Sequence, residues 1–93
     1  MTETLSTKEI LALRAQAHNL NPVVMIGQHG LTESVIKETD AALNAHELIK
    51  VRILGDDREN RLAMCKALSE SVNAHFIQNI GKLLILWRKK PDV

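Results

Sequence analysis

The fold of this 93-residue chain is decided by residues 23–32, which read VVMIGQHGLT. Val23–Ile26 is a short, continuous apolar run of the kind that forms a buried strand. Gly27–Gly30 follows as a polar turn, because its two glycines let the backbone bend sharply. Thr32 has the side chain and the position of a helix N-cap. These ten residues therefore predict a strand, a glycine loop and the start of a helix.

Further elements are predicted on both sides of this segment. A helix at about 7–18 precedes it, since Ser6 and Glu9 have capping-box spacing and an apolar stripe runs from Ile10 to Leu20. The elements that follow are, in chain order, a helix at about 33–45, a strand at 48–54, a helix at about 58–72, and strands at 75–80 and 83–88.

Short signals fix how the later elements begin and connect. Asp56 and Glu59 have the spacing of a capping box for the third helix. Gly81-Lys82 joins the last two strands as a two-residue hairpin. Because Leu83–Trp87 is apolar on both faces, that strand is expected to be central or covered on both sides.

The element order αβαβαββ predicts a single compact α/β domain with three helices. Strands that are separated by helices need crossover connections, so part of the four-stranded sheet is expected to be parallel. The terminal hairpin adds an antiparallel pair, which makes the sheet mixed. The domain is predicted to occupy residues 1–93, with flexible ends at 1–5 and 90–93.

Composition excludes several classes of function. Twelve Lys plus Arg balance 11 Asp plus Glu to a net charge of +1, and Phe76 and Trp87 are the only aromatic residues, which argues against modules that stack bases on aromatic platforms. The lone Cys65 cannot form an internal disulfide and suits a reducing cytosol. No apolar run approaches the roughly 20 residues that span a bilayer, and no signal peptide is recognisable. We expect a cytoplasmic protein without a membrane partner.

The glycine loop is the one local motif with a chemical mechanism. A loop such as Gly27–Gly30 exposes backbone N–H groups, and the following helix N-terminus adds donors and a positive dipole end, which together suit a phosphate. Gln28 and His29 lie at the loop tip and can donate further hydrogen bonds. The alternative is a merely structural tight turn. The motif lacks the spacing of a Rossmann fingerprint and the lysine of a P-loop, and it matches a KH domain in the loop only.

No constellation of side chains indicates catalysis or a bound metal. The four histidines show no ligand spacing with one another or with Cys65, which is expected to be a small buried hydrophobe. The acidic residues 56, 57 and 59 are typical of a turn and a helix cap. We therefore predict neither an enzyme nor a cofactor.

The assembled stretches resemble the CRM domain (chloroplast RNA splicing and ribosome maturation), and most closely its stand-alone bacterial form, the YhbY-like proteins. Together they span nearly the whole chain. The matching stretches are Ala17–Val24 (AHNLNPVV), Ile26–Thr32 (IGQHGLT), His46–Arg52 (HELIKVR), Ile80–Lys82 (IGK) and Leu86–Arg88 (LWR).

The resemblance implies an RNA-binding module with a fold similar to the C-terminal domain of translation initiation factor 3. Its bacterial members associate with precursors of the large ribosomal subunit. The family's RNA contacts carry over to the glycine loop and, through flanking basic residues, to a wider surface. The residues predicted to contact RNA are Gly27, Gln28, His29, Gly30, Thr32, Arg14, His18, Lys50, Arg52, Lys82 and Arg88.

Some positions depart from the family. A basic residue is usual before the proline, where this chain has Asn21, and the loop often carries a lysine, where it has Gln28-His29. These changes weaken the electrostatic attraction to RNA, so we expect modest, shape-dependent affinity.

Two functions follow from these observations. The first is a monomeric, non-catalytic RNA-binding protein that assists assembly on ribosomal RNA of large-subunit precursors, with ribosomal proteins as further partners. The second is a protein-interaction module of the ribosome or translation machinery in which the glycine loop is structural. In that case Arg14, His18, Lys50 and Arg52 are ordinary solvent-facing residues, and Arg88–Lys90 is a solvated tail.

Overall fold

Three helices and four strands follow one another in the predicted order αβαβαββ in the computed structural model, which describes residues 5–90. The ends predicted to be flexible lie almost entirely outside the described residues. The elements are α1 (Thr7–Ala17), β1 (Val24–Ile26), α2 (Glu33–His46), β2 (Leu48–Ile53), α3 (Arg58–Ser71), β3 (His75–Ile80) and β4 (Leu83–Trp87).

The helices begin at side-chain caps, two of which the sequence predicted correctly. Ser6 and Glu9 form the expected capping box of α1, and Thr32 caps α2 by accepting a hydrogen bond from the Val35 amide at 3.2 Å. The predicted cap of α3 was wrong. Its N-cap is Asp57, whose carboxylate accepts hydrogen bonds from the amides of the second and third helical residues, whereas Asp56 lies in the preceding turn.

The sheet has the strand order β1-β2-β4-β3. β1 runs parallel to β2, with Val24 opposite Val51, and β4 is antiparallel to both of its neighbours. The sheet is therefore mixed, and the doubly apolar β4 is central as predicted. A β-bulge between Phe76 and Gln78 interrupts the pairing of β3 with β4. β1 and β3 are the two edge strands.

The core lies in two unequal layers. α2 and α3 cover one face of the sheet, where Ile26, Leu43, Ile53, Leu68 and Leu84 are fully buried. α1 alone covers part of the other face, packing Ala17 against Ile77 and Ile85. The rest of that second face stays open, because one helix is too narrow to cover four strands.

Cys65 is a buried core residue, as predicted. It is completely inaccessible, and burial raises the pKa of its thiol from 9.0 to about 11, while the nearby Arg61 charge acts in the opposite direction. The thiol is therefore neutral at physiological pH and packs as a small apolar group. Within residues 5–90, no helix is both long enough and apolar enough to cross a membrane.

The cap of α3 gives a direct stability test. Replacing Asp57→Ala removes the acceptor of two helix N-terminal amides, so we expect the free energy of unfolding to fall by about 1 kcal/mol. Asp56→Ala is the matched control, because that carboxylate is fully exposed and only 3.9 Å from Lys82, and it should leave the urea midpoint unchanged. An equal or larger effect of Asp56→Ala would contradict the assignment of the cap.

Candidate nucleic-acid interface

Three connecting loops meet at one end of the sheet, which we call the loop end. The Leu54 amide donates to the carbonyl oxygen of Ile26 at 2.9 Å, and the Ile53 amide donates to the carbonyl oxygen of Lys82 at 2.7 Å. The glycine loop after β1, the turn after β2 and the β3–β4 hairpin therefore lie side by side. This end comprises residues 27–30, 54–57 and 81–82.

The glycine loop is a closed turn with a polar tip. The Gly30 amide donates to the Gly27 carbonyl at 3.0 Å, which leaves Gln28 and His29 exposed at the tip. Gly30 has φ +71°, in the left-handed region that favours glycine, and this explains the second glycine of the motif. Its amide is committed to the turn, so it is not one of the open donors.

Open donors remain in the loop and in the first turn of α2. The amides of Gln28, His29, Glu33 and Ser34 donate no hydrogen bond within residues 5–90. Thr32 occupies the Val35 and Ile36 amides through its hydroxyl and carbonyl oxygens. The unpaired N–H groups of Glu33 and Ser34 lie at the positive end of a 14-residue helix, which suits a phosphate, and those of Gln28 and His29 lie in the loop that precedes it.

Arg52 lies beside this loop on the open face of the sheet. It pairs with Met25 on β1 and with Leu83 on β4, and Leu83 in turn pairs with Ile80 on β3, so these four residues form one row across the sheet. Met25 and Ile80 are 55% and 58% exposed, which shows that no helix covers this row. Arg52 is exposed and forms no ion pair with residues 5–90.

Lys50 and Lys82 occupy different surroundings. Lys50 is two residues before Arg52 and on the same face, but it is only 9% exposed, so the expectation of a solvated strand face was wrong for this residue. Lys82 belongs to the loop end, where its ammonium lies 3.9 Å from the Asp56 carboxylate. The Lys82 side chain is about half exposed and the Asp56 side chain is fully exposed. This ion pair is therefore weak and leaves the lysine accessible to a stronger anion.

Arg14 and His18 lie at the end of α1, and both are exposed. Neither side chain forms a hydrogen bond or an ion pair with the described residues. They remain predicted RNA contacts on the layer that covers the second face of the sheet.

Arg88 is not brought to the loop end. It follows β4 at the opposite end of the sheet, where its guanidinium donates to the Asp40 carboxylate at 2.7 Å, to Asn44 Oδ1 at 2.8 Å and to the Val72 carbonyl at 2.6 Å. It ties α2 to the C-terminal end of α3. Sequence reasoning missed this role; the available signal was the i,i+4 spacing of Asp40 and Asn44, which places both on one side of α2.

Residues 5–88 match the CRS1/YhbY (CRM) domain family. The chain belongs to this family. An RNA-binding protein of Haemophilus influenzae is 49% identical over 89 residues, covering 96% of this chain and 90% of that protein. YqeI of Bacillus subtilis, named a probable RNA-binding protein, is 32% identical over 88 residues, which are 95% of this chain and 92% of YqeI.

A solved structure shares the fold of this chain. The solution structure of the hypothetical protein SAV1595 from Staphylococcus aureus superimposes with a TM-score of 0.83 at 32% identity, covering 96% of this chain and 93% of that one. The predicted fold class is thus confirmed for this CRM domain. Its similarity to the C-terminal domain of translation initiation factor 3 stays a prediction.

The position of Arg88 leads to a stability prediction. Arg88→Met should lower the free energy of unfolding by about 2 kcal/mol, because the Val72 carbonyl and the Asp40 carboxylate lose a partner that is only 18% exposed. The neighbouring exposed Lys89→Met removes the same charge and should not change the urea midpoint. Equal midpoints for the two variants would show that the Arg88 contacts contribute no stability.

Proposed function

We propose that this CRM domain is a non-catalytic RNA-binding protein that holds the phosphate backbone at the loop end and on the adjoining open face of the sheet. The observation that carries the proposal is the placement of unpaired amide donors and an unpaired cation at the same end of the sheet. Gln28, His29 and the first turn of α2 supply the donors, and Arg52 supplies the cation. The names of the relatives support RNA as the partner.

The two kinds of group have separate tasks. The amides at the N-terminus of α2 donate hydrogen bonds to one phosphate, whose charge is complementary to the helix dipole. Arg52 contacts a neighbouring phosphate, and Lys82 can exchange its weak Asp56 contact for another. Phosphate contacts fix the position and the register of the protein and carry no sequence information, so selectivity comes from the shape of the RNA.

The target we propose is ribosomal RNA in precursors of the large ribosomal subunit, bound in the cytoplasm by a monomer. This step rests on the resemblance to the bacterial YhbY-like proteins. Ribosomal proteins next to the bound RNA are further partners in this proposal. The open amides of the glycine loop, together with Arg52 and Lys82, hold RNA in place and assist assembly without chemical change.

The glycine loop is tested by adding negative charge to its tip. Gln28→Asp combined with His29→Asp keeps both glycines but places two carboxylates where we expect a phosphate. Binding to a structured ribosomal RNA fragment should fall by roughly tenfold to a hundredfold, as expected when like charges meet in an interface. Lys66→Glu is the matched control: it changes the net charge by the same amount on α3, and it should reduce affinity far less. Fluorescence anisotropy across a salt series measures both effects.

Each result of this experiment distinguishes one function from another. Equal loss in the loop variant and in Lys66→Glu would mean that net charge, not the loop, determines binding. Binding by the loop variant that equals wild type would make the loop structural and place the RNA on another surface. If folded wild type binds no RNA fragment, the protein-interaction module becomes the better account.

Arg52 is tested by its effect on the salt dependence. Arg52→Gln removes one phosphate contact, so the slope of log affinity against log salt should decrease in magnitude by about 1. The loss should be similar for RNAs of different sequence, because the contact is to the backbone. Lys89→Gln is the control for one charge removed elsewhere. An unchanged slope in Arg52→Gln would exclude Arg52 from the interface.

A further inference from the structure

A cavity of about 560 Å³ opens beside the sheet, between the end of α1 and the starts of β1 and β2. Two amide side chains, Gln16 and Asn21, and the imidazole of His46 line it together with Lys50, and apolar walls come from Leu20 and Leu48. None of these residues belongs to the proposed loop-end site. Lys50 alone is close to it in sequence, because it shares β2 with Arg52. The volume lies in the range of small-molecule sites.

Lys50 is the unusual residue of this cavity. The residue as a whole is only 9% exposed, but its ammonium stays accessible and makes no ion pair and no hydrogen bond with residues 5–90. A lysine can cover its aliphatic stem with neighbouring residues and still present its ammonium to water. The backbone that carries this side chain is held in place, since the Val23 amide donates to the Lys50 carbonyl at 3.0 Å. An accessible, unpaired cation that lines a cavity favours an anionic ligand.

The lining of the cavity has no opposing charge. None of its lining residues is acidic, so Lys50 determines its electrostatic sign. The amides of Gln16 and Asn21 can each donate and accept hydrogen bonds, which is the chemistry that reads the polar edge of a nucleobase. Leu20 and Leu48 are partly buried and offer an apolar surface to the flat face of a ring.

A second depression adjoins the cavity and extends along β1. It has a volume of about 350 Å³, is lined by Pro22, Val23, Met25 and Arg52, and shares Val23 with the cavity. From Val23 to Gly27 the chain advances about 13 Å, at roughly 3.3 Å per strand residue. A short run of nucleotides can therefore extend from the loop, past Arg52, to the cavity.

We propose that this cavity binds one unpaired nucleotide of the RNA, with the phosphate at Lys50 and the base between the apolar walls and the amides of Gln16 and Asn21. The inference rests on the proposed function and adds to it a place where base identity is read. Phosphate contacts at the loop end position the RNA, whereas the cavity makes the binding selective for one base.

Titration of the ¹⁵N-labelled full-length protein with AMP, CMP, GMP and UMP, followed by NMR, tests the cavity directly. We expect at least one nucleotide to give saturable shifts of the side-chain amides of Gln16 and Asn21 and of the backbone around His46. Lys50→Met should weaken the binding of that nucleotide at least tenfold, because the substitution keeps most of the aliphatic stem and removes the charge. Lys66→Met, the same substitution at an exposed site on α3, should bind like wild type.

The controls separate base from phosphate and binding from folding. The matching nucleoside and inorganic phosphate should each bind more weakly than the nucleotide, since each makes only part of the contacts. If Lys50→Met does not fold, Asn21→Leu is used in its place. This variant keeps Lys50, and it should bind the preferred nucleotide several-fold more weakly than wild type. Nucleotides that shift no cavity resonance, or that bind both cavity variants like wild type, overturn the proposal.

RNA binding distinguishes this proposal from the one on which it rests. If the ribosomal RNA fragment binds in a loop-dependent manner and Lys50→Met has the affinity of Lys66→Met, the cavity proposal fails and the proposed function stands. A Lys50→Met protein whose affinity for that fragment falls at least tenfold, with the nucleotide shifts lost as well, supports both. If wild type binds a nucleotide in the cavity but no RNA fragment, the proposed function fails and the cavity takes a free nucleotide.

Discussion

The parallel pairing of β1 with β2 is the constraint on which the rest of the molecule depends. Parallel strands end on the same side of a sheet, so the glycine loop after β1 and the turn after β2 must lie together. The hydrogen bond from the Leu54 amide to the Ile26 carbonyl joins them directly. Since β4 is antiparallel to β2, its hairpin turn reaches the same end. Three chain segments that are distant in sequence thus become one surface.

The same pairing determines which charges stay available. A net charge of +1 suggests little attraction to a polyanion, but the ion pairs are unevenly distributed. Arg88 is occupied by Asp40 at one end of the sheet, and Lys37 pairs with Glu33 on α2. Arg52 and Lys50, next to each other on one face of β2, have no carboxylate partner among residues 5–90. Local arrangement rather than net charge therefore gives this face its positive potential.

Much of the fold could be predicted from the sequence because its signals are local. The capping box of α1, the Thr32 cap of α2, the glycine turn and the two-residue hairpin each depend on neighbours within a few positions, and the bounds of β3 were predicted to the residue. Asp56 and Asp57 show the limit. Either carboxylate can cap α3, and only the path of the chain out of β2 decides that Asp57 does.

The site was less predictable, because its properties come from contacts between distant segments. Alternation along β2 correctly placed Lys50 and Arg52 on one face, but burial depends on whether another element covers that face. α1 reaches Lys50 and stops short of Arg52, so two chemically similar side chains have opposite exposures. For Arg88 the basic sequence context suggested a solvated tail, whereas its partners lie 16 to 48 residues earlier in the chain.

Incomplete coverage of the second face links the packing of this domain to its proposed function. Two helices seal the first face, and the core that they form with the sheet contains most of the fully buried side chains. The single helix α1 on the second face is enough to bury Ile77 and Ile85, but it leaves the row from Met25 to Ile80 open. A second helix there would bury more apolar surface and would also cover Arg52 and close the depression along β1. The open face thus leaves apolar surface exposed that a second helix would bury. In return, the cations of β2 stay accessible to an RNA strand that enters from the glycine loop.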